Sequence, residues 1–154
     1  MTEADRSAVG LVGFAAWRSS NAFDNSYLDP LVVERVRKDF VRFAAETTCD
    51  VAVAEVAGTL AGWGARAGDP DYISDIWIDP QFQGQGIGRQ LVEHFVREMR
   101  ASSVTIAKIA THAKNVNAIR LYRRCGFKIV WEGETWSESM QVKLQKVRLE
   151  RALV

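Results

Sequence analysis

The stretch that decides the fold reads Ile76-Trp77-Ile78-Asp79-Pro80-Gln81-Phe82-Gln83-Gly84-Gln85-Gly86-Ile87-Gly88-Arg89. Its apolar start predicts the end of a β-strand that stops at Asp79-Pro80, and a glycine-rich loop follows. From about Gly86 to Met99 the spacing of Ile87, Leu91, Phe95 and Val96 predicts an amphipathic helix with those residues buried. A strand, a glycine loop and a helix in that order form a cradle for an anion. Glycine lets the backbone approach closely, and the first helical N–H groups point at the ligand with the positive end of the dipole. The loop lacks the Lys-Ser/Thr pair of a P-loop. Arg89 stands where G-x-G-x-x-G needs its third glycine, and no acidic residue closes a strand about 20 residues on, where Val104–Ile109 lies. Those departures speak against a dinucleotide site, and the loop on its own is equally a structural turn.

A second motif follows at Asn115-x-x-Ala118-Ile119-x-Leu121-Tyr122-x-x-x-Gly126-Phe127. Together with Gln83-x-x-Gly86-x-Gly88 after the strand, it resembles the acetyl-CoA signature of the GNAT acyltransferase superfamily. The resemblance covers about residues 50–131 most closely. It implies an α/β (α+β) GNAT fold: a mixed, mostly antiparallel central sheet, splayed at the cofactor site, with helices on both faces. It also implies roles. The backbone of Ile76, Trp77 and Ile78 would pair with the pantetheine arm, and a bulge there would splay this strand from Val104–Thr111. Backbone N–H groups of Gln83, Gly84, Gln85, Gly86, Ile87, Gly88 and Arg89 would hold the pyrophosphate. Asn115 would contact the cofactor arm, and Tyr122 would protonate the departing thiolate, for which a phenol with an ordinary pKa of about 10 is suited. Read without the family, Gln83 is a loop residue, Asn115 a helix N-cap, and Tyr122 a core residue.

The acceptor of such a reaction is an amine that must be deprotonated before it attacks. Asp75 is the leading candidate base and substrate contact, since it precedes the pantetheine-pairing strand and alternates with Ile73 and Trp77. A salt bridge at the strand edge is the plainer account of it. Relatives that modify protein N-termini place a Glu where this chain has Ala110. His112 lies close by and titrates near neutral pH, while Glu55 and Glu134 are weaker candidates. Of the large aromatics, Tyr27, Trp63 and Trp77 are expected to face the substrate in part, where aromatic walls suit a cationic or apolar amine. The expected activity is acetyl transfer from acetyl-CoA to a primary amine of a small molecule. Protein or peptide amines are the second reading, and a CoA-binding sensor module without turnover is the rival of another class.

Working outward, the rest of the chain supplies the frame. A helix is predicted from Thr2 or Asp5 to about Ser19, and a second one opens at Asp29-Pro30 with the aspartate as cap. Val51–Val56 and Leu60–Ala65 read as a hairpin, Tyr72–Ile78 as a third strand, and Val104–Thr111 as a fourth. Asn115 to Arg124 is a helix, and Phe127–Trp131 and Met140–Val147 are two last strands. The family pattern begins with a strand before the first helix. Here Met1-Thr2-Glu3-Ala4-Asp5 reads as the residues just after it, so the sheet is expected to be one strand short or to have a tiny first strand.

The 154 residues suit one domain, 1–154, that buries its core without staples. Two distant cysteines, Cys49 and Cys125, form no metal spacing, and no metal is expected. The segment before the apolar run Ala8–Ala16 has the wrong charge for a signal peptide, and no run of about 18 apolar residues spans a bilayer, so a cytoplasmic protein with no membrane partner is expected. Net charge is +1, which calls for no nucleic acid. It is uneven, however: residues 1–80 hold 7 basic and 13 acidic groups, and residues 81–154 hold 13 and 6. The resemblance would explain this by CoA phosphates near Arg89, Arg120, Arg123 and Arg124 and a cationic amine beside the acidic half. A homodimer through the last strands is expected from family habit alone.

Overall fold

A computed structural model describes residues 1–20, 22–23 and 28–154. Tyr27 lies outside the described residues. Asp29 accepts a 2.7 Å hydrogen bond from the amide of Leu31 and so caps helix α2 (Pro30–Glu46), with Pro30 preset in its first turn. Helix α1 (Arg6–Ser19) follows a short 3-10 turn at Glu3–Asp5. No strand precedes it among the described residues, which matches the expectation of a sheet one strand short. Ala57 and Gly58, with φ of 49° and 79°, turn strand β1 (Asp50–Val56) into β2 (Thr59–Arg66).

The expected single strand Tyr72–Ile78 is two strands. Residues Tyr72–Ile73 form β3 and Asp75–Ile78 form β4. Beyond the glycine loop come α3 (Ile87–Ala101), β5 (Ile106–His112), α4 (Val116–Arg124), β6 (Lys128–Ser137) and β7 (Val142–Ala152). The last two are far longer than the apolar segments predict. Most of β6 is exposed, so its polar residues pair with β7 without burial.

The strands form two sheets, ordered β1-β2-β4 and β3-β5-β7-β6. All pairings are antiparallel except β3 with β5. One face packs on α3 and α4 through Val92, Phe95, Val96, Met99 and Tyr122 against Ile73, Ile109, Val147 and Leu149. The opposite face meets α1 and α2, where Val9, Val12, Phe40 and Phe43 cover Val51, Trp63 and Ala65. Each large apolar side chain so buried contributes about 1.5–3 kcal/mol. No helix among the described residues is long and apolar enough to cross a membrane.

Candidate active site

Ser74 is where the sheet divides. Its amide donates to Ala65 O at 2.9 Å and its Oγ donates to the same oxygen at 3.1 Å. Ala65 is also the register partner of Asp75, so two successive residues oppose one. This is a β-bulge, and it bends the chain. Tyr72 and Ile73 turn toward Lys108 and Ile109 of β5, whereas Asp75–Ile78 stay on β2. Beyond Ile73 the facing edges of β4 and β5 are unpaired, and a cavity of about 390 Å³ opens at the split.

Alternation assigns the open edge. Trp77 is opposite Trp63, and Asp79 N donates to Ala61 O at 2.9 Å in the same phase, so the backbone groups of Ile76 and Ile78 turn away from β2. Those two residues, and not Trp77, offer backbone groups to an extended ligand lying in the slot. The carbonyl of Ile78 already accepts a 3.2 Å bond from Gln83 Nε2, so the Gln83 side chain folds back on the strand.

Asp79 caps the turn after β4, accepting from Gln81 N at 2.8 Å. Gly84 and Gly86 have φ of 75° and 84°, and a Cβ built on either would meet nothing within 4 Å. Gly86 is the N-cap of α3 and supplies no side chain to the helix start. The amides of Ile87, Gly88 and Arg89 therefore lack intrahelical partners, beside the open positions at Gly84 and Gly86. That fits a pyrophosphate. Gly88 has a different cause: a Cβ there would lie 2.9 Å from Leu121 Cδ2, so its bareness lets α3 approach α4. Arg89, Arg120, Arg123 and Arg124 are exposed, and the last three share one hollow with Val116 and Ile119.

Asp75 and Trp77 project from β4 toward α1 and α2. Trp77 Nε1 donates to Asp75 Oδ1 at 3.0 Å. Burial raises the pKa of this carboxyl, against the lowering effect of the Trp77 bond and the nearby Lys146 charge. Tyr122 is 5% exposed, packs 6.4 Å from Phe127 and lines the cavity. Its hydroxyl has no hydrogen-bond partner among the described residues. Burial first, then the charge of Asp75, pushes the phenol far above its ordinary pKa of 10.0.

His112 also lines the cavity, at the end of β5. Its Nδ1 accepts the amide of Lys114 at 3.1 Å, so in the neutral ring Nε2 bears the proton. Burial lowers its pKa, and Lys114 and Lys146 lower it further. With its lone pair committed and its other nitrogen a donor, His112 is badly placed as a base. Asn115 N-caps α4, accepting from Ala118 N at 3.3 Å, while its Nδ2 donates to Thr111 Oγ1 at 3.2 Å. Its carboxamide thus holds the slot's wall together.

Trp63 lines the cavity, though it is almost fully covered. It is 1% exposed, stacks on Phe43 at 5.3 Å and meets Phe40 edge-on at 6.5 Å. Cross-strand pairing with Trp77 puts it on the correct face, but those two phenylalanines stand over it. Glu55 is exposed on β1, and Glu134 is exposed and bonds Lys143 at 3.3 Å, so neither serves the cavity. Ala110 lines it without a titratable group. Lys146, opposite His112 on β7, also lines it and had no signal in the sequence. Its placement depends on a register that only the folded sheet reveals.

The comparisons agree with this geometry. Residues 8–127 match the family model Acetyltransferase (GNAT) family. The [ribosomal protein bS18]-alanine N-acetyltransferase of Salmonella typhimurium (strain LT2) is 37% identical over 59 residues, which are 38% of this chain and 40% of that protein. The chain thus matches under half the length of that relative. Among solved structures, a GCN5-related N-acetyltransferase (aminotransferase, class-II) from Rhodopseudomonas palustris superposes with TM-score 0.83 at 17% identity, covering 99% of this chain and 92% of that one. The PaiA N-acetyltransferase of Thermoplasma acidophilum, in complex with coenzyme A, gives TM-score 0.70 at 16% identity over 99% and 95%. The family model spans most of the chain and includes both the split strand and the glycine loop, so this protein belongs to the GNAT family of acetyltransferases.

Proposed function

We propose that the protein transfers the acetyl group of acetyl-CoA to a primary amine of a small molecule, by direct attack in a ternary complex. One observation carries this reading: Asp75 and Tyr122 border the same cavity, at a split that separates two faces of the sheet. Asp75 stands with Trp77 on the face of α1 and α2, and Tyr122 belongs to the core beneath α3 and α4. A thioester lying in the split would have a base on the acceptor side and an acid on the thiol side.

Acetyl-CoA would supply the thioester carbon and the leaving thiolate. The open amides at Ile87–Arg89 would hold its pyrophosphate, and the outward backbone groups of Ile76 with the Ile78 amide its pantetheine arm. Asp75 takes the proton of the incoming ammonium, for which its raised pKa suits it. The amine nitrogen then forms its bond to the carbonyl carbon, the carbon–sulfur bond breaks, and Tyr122 gives its proton to sulfur; the acylated nitrogen loses its surplus proton, which restores the phenol, and Asp75 releases its own proton to solvent. The two groups are coupled. The Asp75 charge holds the Tyr122 proton in place, and once Asp75 is protonated that hold relaxes. The phenol thus becomes the stronger acid as the leaving group needs it.

A cavity of about 390 Å³ favours a small acceptor, since small-molecule sites run from about 300 to 1,000 Å³. The similarity to a bS18-alanine acetyltransferase favours a second reading, transfer to a peptide amine. Ala110, standing where such enzymes are expected to place a Glu, weighs against it. A thioester-consumption screen over amines, amino acids and peptides decides between them. Consumption with none of them, while acetyl-CoA still binds, would overturn both.

A further inference from the structure

We infer that the acceptor is a free apolar α-amino acid, with its ammonium at Asp75 and its carboxylate at His112 and Lys146. This rests on reading the cavity as the acceptor site. The observation behind it is a pair of opposite charges in one cavity, neither held in an ion pair among the described residues, with Asp75 keeping its hydrogen bond from Trp77. Asp75 and Asp39 are the carboxylates that line it among the described residues, and Asp39 is tied to Arg42. Lys146 is the lining ammonium. Its strand neighbours are paired, Lys143 with Glu134 at 3.3 Å and Arg148 near Glu150 at 3.8 Å. Lys146 itself has no acidic partner within 4.0 Å among the described residues, Asp75 included.

His112 supplies the second donor. It is opposite Lys146 in the β5–β7 register, which puts both side chains on one face with Cβ atoms about 4.5–5.5 Å apart. Because Lys114 N occupies Nδ1, the nitrogen left over is Nε2–H. Two adjacent donors, partly buried and without an acceptor, suit one carboxylate. A simple amine would leave them unmatched and would bring its cation toward Lys146.

Serines and threonines also line the cavity, among them Ser20, Thr111 and Ser137, but one side of it is apolar. Trp17, Phe23, Phe40, Met140 and Leu144 line it on the α1–α2 side, and Phe23 meets the His112 ring edge-on at 5.0 Å. They would surround the side chain of an apolar amino acid. Acetylation then removes the positive charge that Asp75 attracts while the carboxylate stays, so the product keeps one of its two anchors.

The test uses the unmodified protein, acetyl-CoA and three acceptors of one shape: phenylalanine, phenylalaninamide and phenethylamine. The amide stands in for a peptide N-terminus, and the amine lacks the carboxyl carbon. The expected kcat/KM for phenylalanine exceeds both others by about 10- to 100-fold, the worth of charge-assisted hydrogen bonds. In Lys146→Met the acid-to-amine ratio should fall to about one, and Lys146→Arg should restore part of it. Equal or better use of the amide or the amine by the unmodified protein overturns this inference and leaves amine acetylation standing. An unchanged ratio in Lys146→Met overturns it as well. Turnover of none of the three overturns this inference, while the reading on which it rests falls only if the wider amine screen is also empty.

Discussion

Trp77 Nε1 donates a 3.0 Å hydrogen bond to Asp75 Oδ1, joining two side chains on one face of a four-residue strand. The bond favours the charged carboxylate, while burial opposes it and prevails. Trp77→Phe keeps an aromatic wall and removes the donor. The Asp75 pKa should then rise further, and the acid limb of kcat/KM against pH should move upward. A limb that stays in place would show that Asp75 is not the titrating base.

Asp75→Asn separates catalysis from stability. Loss of a general base lowers the rate by about 10²–10⁴-fold, so kcat should fall by that order at neutral pH. Stability should move the other way. The native pKa lies above the unfolded reference of 3.8, so the folded state binds the proton more tightly. The carboxyl's contribution is present below pH 3.8 and is lost as pH rises through the raised native value. Melting curves should therefore show Asp75→Asn gaining on the natural protein as pH climbs through that window, with little difference below it. A constant difference at all pH values would sink the account.

Tyr122→Phe removes an oxygen with no hydrogen-bond partner among the described residues, so the fold should tolerate it. Turnover should drop by about 10²-fold or more while acetyl-CoA affinity, measured by calorimetry, stays within about twofold. Because its pKa is raised well beyond 10.0, Tyr122 should impose no alkaline limb between about pH 7 and 9.5. Undiminished turnover would remove it as the acid.

The parts of the molecule that were legible in the sequence are those with local causes. Asp29-Pro30 starts α2, Asp79-Pro80 ends β4, and the helical spacing of Ile87, Leu91, Phe95 and Val96 buries one side of α3. The two motifs located the glycine cradle and the Tyr122 helix. What escaped was set by pairing between distant strands. Tyr72–Ile78 reads as one apolar strand, and nothing local tells that Ser74 spends both its donors on Ala65 and so divides it. Trp63 and Trp77 look alike as strand aromatics and both meet Phe40, yet Phe43 stacks on the first and leaves it 1% exposed. Lys146 is one cation among several on β7 until its register with His112 is known.

Gly86 separates the demands of folding from those of the anion. With φ of 84°, an alanine there would be strained by about 1–2 kcal/mol, although its Cβ would touch nothing within 4 Å. For a chain of this size that is a fall in melting temperature of about 2–4 °C per kcal/mol. If the open position at Gly86 beside the α3 amides receives the pyrophosphate, the added methyl group crowds it. Gly86→Ala should then weaken acetyl-CoA binding by more than the strain alone, about 10-fold or beyond. Its salt dependence should persist, because that belongs to the arginines. Replacing Arg89, Arg123 and Arg124 by Gln should do the reverse: affinity falls at low salt and its dependence on ionic strength flattens, with melting temperature little changed. Calorimetric titrations of both variants at two ionic strengths separate the two contributions. If Gly86→Ala binds as tightly as the natural protein despite its lower melting temperature, the cradle lies elsewhere.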